Sequence, residues 1–370
     1  MNQPRVRVLL ASLHDASSPG PRYRLLQFAP YLEAAGVQYT FLAMQSPAST
    51  RRSVQSVLLP RAWRTLHNIV VWMQTLGFQL RIVFTSRHFD RIVLHRVPIS
   101  GWARWLLRGR RRDIITDFDD ALDVVPEDRR EFLGGLKRRL LRRGLENAIR
   151  ASILSITSNA NNRDIVERLH GRAAVIPTCI DLARLPLRDR RAPVESRLVI
   201  GWIGTPSTAL YLQSIEEALL TIARAHDVAI RLVGAGRSPF RTLPAEVHEW
   251  SFDREPEELR RFDVGLMPMP DTPWTRGKAA LKALQYGASG APTVASYTPT
   301  NVAMLGENDG TLFARTPEDW VRHLGQLLED AAARADLGRR ARARVERFYS
   351  VEGNAPLLVR LIRDPQGPTS

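Results

Sequence analysis

The stretch Asp271-Thr-Pro-Trp-Thr-Arg-Gly-Lys-Ala-Ala-Leu-Lys-Ala-Leu-Gln-Tyr-Gly-Ala-Ser-Gly-Ala-Pro-Thr-Val-Ala-Ser296 decides how the whole chain is read. It divides into a loop carrying Arg276 and Lys278, a short helix ending near Ala288, and a strand from Pro292. Gly290 ends the helix and Pro292 cannot continue it. The spacing predicts that a helix dipole, free backbone N–H groups and two cations meet at one helix start. That is how a fold presents itself to a phosphate or diphosphate.

Around this block, strand-like and helical stretches alternate. Strands are predicted near 6–13, 38–44, 91–95, 113–116, 152–157 and 173–176, and again at 197–203, 228–233, 264–267 and 292–295. Helical spacing falls between them, over 23–35 and 208–225, and closes the chain over 317–330, 336–348 and 351–362. Such alternation predicts an α/β fold of parallel, doubly wound sheets. The proline- and arginine-rich run from Pro186 to Pro193 reads as a linker. The expected parts are a Rossmann-like domain over 1–185, a second over 186–350 and a terminal helix segment over 351–370. Two such domains facing each other across a cleft would offer it the carboxyl ends of their strands, where sheets of this kind bind ligands.

At 370 residues the chain is long enough for two cores, and 44% apolar with 25% charged residues is the composition of a globular protein. The single cysteine, Cys179, excludes an intrachain disulfide and a four-thiolate zinc site, which points to a reducing cytoplasm. The run from Arg5 to Ala11 reads as a buried strand too short for a secretory signal. A net charge of +15 favours anionic partners: nucleic acid, an anionic membrane or the phosphates of a nucleotide sugar.

Three further places could carry chemistry. After the first strand, Gly20 would let backbone approach a ligand, with Arg22 and Arg24 opening the next helix; the bland alternative is a turn between prolines. After the first strand of the second half, Gly204 leaves room for a diphosphate, and Thr205, Ser207 and Thr208 supply hydroxyls. This is not the dinucleotide glycine motif. The acidic run from Asp117 to Asp123 could bind a divalent metal, act as a base, or merely cap a helix. His95 and Arg96 end a neighbouring strand and point to the same region, though a lone histidine after an apolar run is more often structural.

The opening block resembles the donor-binding block of retaining GT-B glycosyltransferases of family 4, whose signature is two glutamates eight positions apart before Ala-Met-Ala-x-Gly-x-Pro-Val. Aligning the Gly-x-Pro end puts Gln285 at the second glutamate and Gly277 at the first. The run from Ile176 to Asp181 looks like the family's Ile-Pro-Asn-Gly-Val-Asp. The resemblance implies a GT-B fold, with the terminal helix crossing back onto the first domain. It also implies a nucleotide-sugar donor, no metal or other cofactor, and transfer with retention to a glycan or lipid-linked acceptor, as in cell-surface polysaccharide synthesis.

Residue by residue, it puts Gly20 and Arg22 beside acceptor and donor diphosphate, and Gly204 and Thr205 at the diphosphate. Arg276 and Lys278 then become the cations for the leaving group, and Gln285 accepts from the ribose hydroxyls without the charge assistance of a glutamate. Asp119 or Asp120 stands where many members carry a histidine near the reacting sugar. The catalytic expectation is therefore Asp119, Asp120 and Lys278.

The runs from Trp102 to Arg112 and from Lys137 to Arg150 combine arginines with apolar stripes, including Leu136, Leu140, Leu141, Leu145 and Ile149. Each is either a core stripe with a solvated basic face or a surface for an anionic membrane. The apolar run from Trp63 to Phe84 is interrupted by Gln74, Gln79 and Arg81 and does not read as a membrane span. These features predict a cytoplasmic protein, peripheral at the inner face of the membrane.

Three rivals remain: a metal-dependent GT-A-like transferase using Asp117–Asp120, a basic nucleic-acid-binding protein, and a degenerate sugar-nucleotide binder without turnover. No helix-turn-helix, zinc or ribonucleoprotein motif is present, so no specific nucleic acid is expected.

Overall fold

A computed structural model describes residues 5–46, 61–108, 113–119, 134–169, 171–188 and 195–369. The chain forms two compact units, Met1–Cys179 with Asn354–Ser370, and Ile180–Gly353.

The first unit is built on a parallel sheet of β1 (Val6–Ser12), β2 (Val37–Ala43), β3 (Arg91–His95), β4 (Asp113–Phe118), β5 (Leu154–Thr157) and β6 (Ala173–Val175), in the order β2-β1-β3-β4-β5-β6. The central strands are apolar on both faces because helices cover both sides. Phe78, Ile82 and Val83 pack with Leu9, Ile92, Leu94, Ala103 and Leu107 into one cluster. The register sets Ser12, His95 and Asp117 side by side at the carboxyl edge of β1, β3 and β4. The chain runs outward from β1 to β2 and then returns to the other side of β1 as β3, so the strand order reverses there. A ligand crevice opens at such a reversal.

The single helix predicted over 23–35 is instead three short turns, Pro19–Arg24, Leu26–Phe28 and Ala29–Ala34, the last with Pro30 in its first turn. Residues 354–370 pack on this unit, where Arg363 donates to the Ala35 carbonyl and Arg172 donates to the Pro365 carbonyl.

The second unit holds β7 (Leu198–Ile203), β8 (Val228–Val233), β9 (Glu246–His248), β10 (Val264–Met267), β11 (Thr293–Ser296) and β12 (Thr311–Ala314), all parallel, in the order β12-β11-β10-β7-β8-β9. Its reversal lies between β7 and β10. These strands pair only through Val264 with Ile200 and Gly265 with Gly201, and then diverge. The Tyr286 hydroxyl spans the gap, accepting from Ile203 N at 3.1 Å and donating to the Leu266 carbonyl at 3.2 Å. A Cβ at Gly265 would run into the Tyr286 ring and one at Gly201 into the Phe262 ring, so both glycines make room for these aromatics.

The boundary falls at Cys179–Ile180 rather than in the predicted linker from Pro186 to Pro193. Leu185–Arg188 is held by the second unit: the buried Arg188 guanidinium pairs with Asp263 at 2.9 Å. The two strands of chain leaving this unit lie side by side, with Ile180 N donating to the Tyr349 carbonyl at 2.7 Å and Val351 N to the Ile180 carbonyl at 3.1 Å.

Candidate functional site

In the second unit both sides of the β7–β10 reversal carry predicted residues. Gly204 follows β7, and a Cβ there would lie 2.6 Å from Lys282 Cε and 2.6 Å from the Trp202 ring. The buried Trp202 indole thus forms a floor, with Lys282 Nζ 5.5 Å from its ring centroid. Gly234 and Gly236, both with positive φ, follow β8 and support the loop from the other side; a Cβ on Gly236 would lie 3.3 Å from Pro206.

The opening block is organised differently from its prediction. Arg276 and Lys278 do not start the long helix. Arg276 ends a separate four-residue turn, Pro273–Arg276, and Asp271 grips it from both carboxylate oxygens at 2.9 and 3.0 Å. Hydrogen bonds from Arg276 hold the Asp271 carboxyl below its usual range. Lys278 Nζ lies 4.7 Å from the centroid of the Trp274 ring. The helix proper is Leu281–Ala288, and its N-cap is Ala280 in the left-handed region (φ 46°, ψ 27°). An alanine N-cap has no acceptor for the first-turn N–H groups. The cation on this helix start, and the one set against Gly204, is therefore Lys282. Helical spacing offered a signal for it, since Lys282 stands three residues before Gln285 and shares its face.

Gln285 is buried, at 4% exposure, so it is not a helix-surface glutamine. Gly277 is buried behind the Pro273–Arg276 turn as its C-cap. Thr205 is exposed and its hydroxyl is engaged with Ser207 at 3.1 Å and Thr208 at 3.3 Å in the cap of the Pro206–Ala209 turn. Those hydroxyls shape the glycine loop rather than extend from it.

In the first unit the carboxyl edge is a buried charge cluster. Arg24 and Asp117 form a two-pronged pair at 2.6 and 3.1 Å, and Arg24 also donates to the Ile176 carbonyl at 2.6 Å. Asp117 Oδ1 accepts from His95 Nδ1 at 2.8 Å. Burial opposes the Asp117 charge, but Arg24 and His95 together hold its carboxyl below the usual range. An ionised Asp117 is an acceptor only, so the His95 proton in this bond lies on Nδ1. Nε2 has no hydrogen-bond partner among the described residues and is covered by Gly20, where a Cβ would come within 2.9 Å of it.

Arg24 ends the Pro19–Arg24 helix instead of opening it, and Arg22 is buried beside Tyr23. Asp119 stands at the rim, with Arg96 Nε 3.5 Å away. Asp120 lies outside the described residues. Asp117 therefore neither caps a helix nor remains available to a cation, and Asp119 is already faced by an arginine. Burial and then the Arg96 charge push the imidazole of His14, in the loop after β1, below the ordinary value.

Among the described residues two non-glycine residues have positive φ, Arg96 (57°) and Ala280 (46°). One borders each of these sites. Left-handed backbone in such residues costs on the order of 1 kcal/mol and persists at functional positions.

Residues 213–359 match the family model described as glycosyl transferase-like. No curated protein matches the chain in sequence. Solved structures match over nearly the whole chain. Sucrose-phosphate synthase from Thermosynechococcus elongatus is 15% identical with a TM-score of 0.73, covering 98% of this chain and 99% of that one. Anabaena HepE in complex with UDP-glucose is 14% identical with a TM-score of 0.66, covering 97% and 100%. Trehalose 6-phosphate synthase from Burkholderia multivorans is 13% identical with a TM-score of 0.62, covering 98% and 99%. The two parallel-sheet units are those of the GT-B fold.

Proposed function

We propose that the chain is a glycosyltransferase that takes its sugar from a nucleotide-sugar donor, as a divergent family 4 type enzyme acting with retention. One observation carries the reading: at the β7–β10 reversal, Gly204, with no side chain of its own, faces a lysine of an alanine-capped helix start. Gly204 lets a diphosphate approach backbone, while Lys282 and the N–H groups after Ala280 supply positive charge for the leaving group. The glycosyl transferase-like match over residues 213–359 spans this helix, and the UDP-glucose bound to HepE makes that donor the first to test.

In this reading the buried Gln285 accepts from ribose hydroxyls. Gln285→Ala weakens donor binding by about tenfold, the scale of one lost hydrogen bond in a dry site; calorimetric titration with the donor measures it, and unchanged affinity removes Gln285 from the site. The first unit holds the acceptor, a glycan or lipid-linked sugar, near Gly20, Arg96 and Asp119.

Transfer proceeds without a metal. Lys282 and the helix start do the work a divalent ion does elsewhere, and Asp117 and Asp119 already face Arg24 and Arg96. EDTA is therefore expected to leave the transfer rate unchanged. A rate lost in EDTA and restored by Mg²⁺ or Mn²⁺ favours the metal-dependent rival instead.

A thermal-shift panel of nucleotide sugars tests the function itself. A donor that binds the native state raises the melting temperature. If none of them does, the chain is not a sugar-nucleotide enzyme.

A further inference from the structure

We propose that the first unit rests on an anionic lipid surface through the outward face of the helix Arg61–Thr85. This is a docking surface on a segment that the sequence set aside as no membrane span. Phe78, Ile82 and Val83 turn one side of the helix into the core. On the opposite side Val70, Met73, Gly77, Leu80 and Phe84 recur at helical spacing as a second stripe, and all are exposed. Met73 is 63% exposed and Phe84 56%. Single exposed apolar residues need no explanation, but an aligned row of them does.

The neighbouring helix Gly101–Arg108 buries Ala103 and Leu107 in the same core cluster and leaves Trp105 75% exposed. Neither helix contains an acidic residue. Arginines accompany the stripe: Arg81 beside it, Arg87 with its guanidinium 5.4 Å from the centroid of the Phe84 ring, and Arg104 and Arg108 on the neighbouring helix. Apolar and aromatic side chains accompanied by arginines, on helices without an acidic residue, fit the boundary between headgroups and acyl chains, and their charge selects anionic lipid.

No helix among the described residues is long and apolar enough to cross a membrane, so this one lies on the surface. The basic helix Gly134–Ala151 suits the role less well. Its Ile149 is buried and its Leu145 packs on the small cluster around Phe118 and Val166, and among its described residues Leu140 is the one large apolar side chain left exposed, so it offers no apolar row.

Vesicle co-sedimentation tests the proposal, with phosphatidylcholine vesicles compared with vesicles also containing phosphatidylglycerol. Wild type is expected to sediment with the anionic vesicles only. Leu80→Ser with Phe84→Ser is expected to lower that binding by at least about tenfold with an unchanged melting temperature, because both side chains are already exposed. Trp105→Ser is the second variant, used should the double variant melt early, and is expected to weaken binding in the same direction. Wild-type binding by both variants overturns the proposal and assigns the attraction to the basic segments alone. So does wild type that ignores anionic vesicles; if it is then a dimer that Leu80→Ser with Phe84→Ser splits, the face belongs to a second copy of the chain.

Discussion

Lys282→Ala lowers the rate of sugar transfer by about 10²- to 10³-fold while the chain stays folded. The magnitude is that of removing one preorganised charge from a site where negative charge develops on a leaving group. Among the described residues, Lys282 is the cation set against Gly204 on a helix start, so the donor diphosphate, held where backbone can reach it, would meet this ammonium. The same substitution at Lys278 or Arg276 is expected to cost less than about fivefold, the scale of a solvent-screened charge near a helix end. Arg276 is exposed and already spent on Asp271, and Lys278 lies over Trp274. Steady-state kinetics on the three variants, each checked for an unchanged melting temperature, decides the matter. A larger loss at Lys278 than at Lys282 would return the diphosphate to the residues the sequence first suggested.

Asp117→Asn destabilises the first unit by about 3–5 kcal/mol, because it strands the buried Arg24 guanidinium without its countercharge. The melting temperature is expected to fall on the order of 10 °C. The pH dependence has a definite sign. The folded Asp117 carboxyl sits below its unfolded value of about 3.9, so its contribution is fully present above that pH and is lost as pH falls through the lower folded value. In Asp117→Asn this part of the acid limb disappears. Replacing the pair together, Arg24→Met with Asp117→Leu, is expected to recover part of the loss, since no charge is then left buried. A single variant that melts within about 1 kcal/mol of wild type means that the cluster is open to water.

The same cluster shows where the sequence was legible and where it was not. The acidic run after β4 was visible, and so was its position at a strand end. That Asp117 is consumed by Arg24 was not, because the two residues are brought together only by the β1–β3–β4 order and the turn of the Pro19–Arg24 helix. Strands covered on both faces announce themselves as apolar runs, and all such runs became strands. The two that were missed, β9 and β12, are the edges of the second sheet, three and four residues long and partly exposed, too short to show a periodicity.

The loop, helix and strand of the opening block were legible from Gly290 and Pro292, but which basic residue stands at the helix start was not. The reason is Ala280. Nothing in an alanine signals φ of 46°, and that one residue delays the helix start to Leu281, past Lys278 and up to Lys282. Gln285 was placed correctly on the helix, and only its burial waited for the fold.

The most direct test of the central claim is a crystal structure of the chain with UDP. The diphosphate is expected against Gly204 and the start of the Leu281–Ala288 helix, with Lys282 Nζ within about 3 Å of a phosphate oxygen. A diphosphate held by Arg276 and Lys278 away from Gly204, or UDP bound outside the β7–β10 reversal, would contradict it.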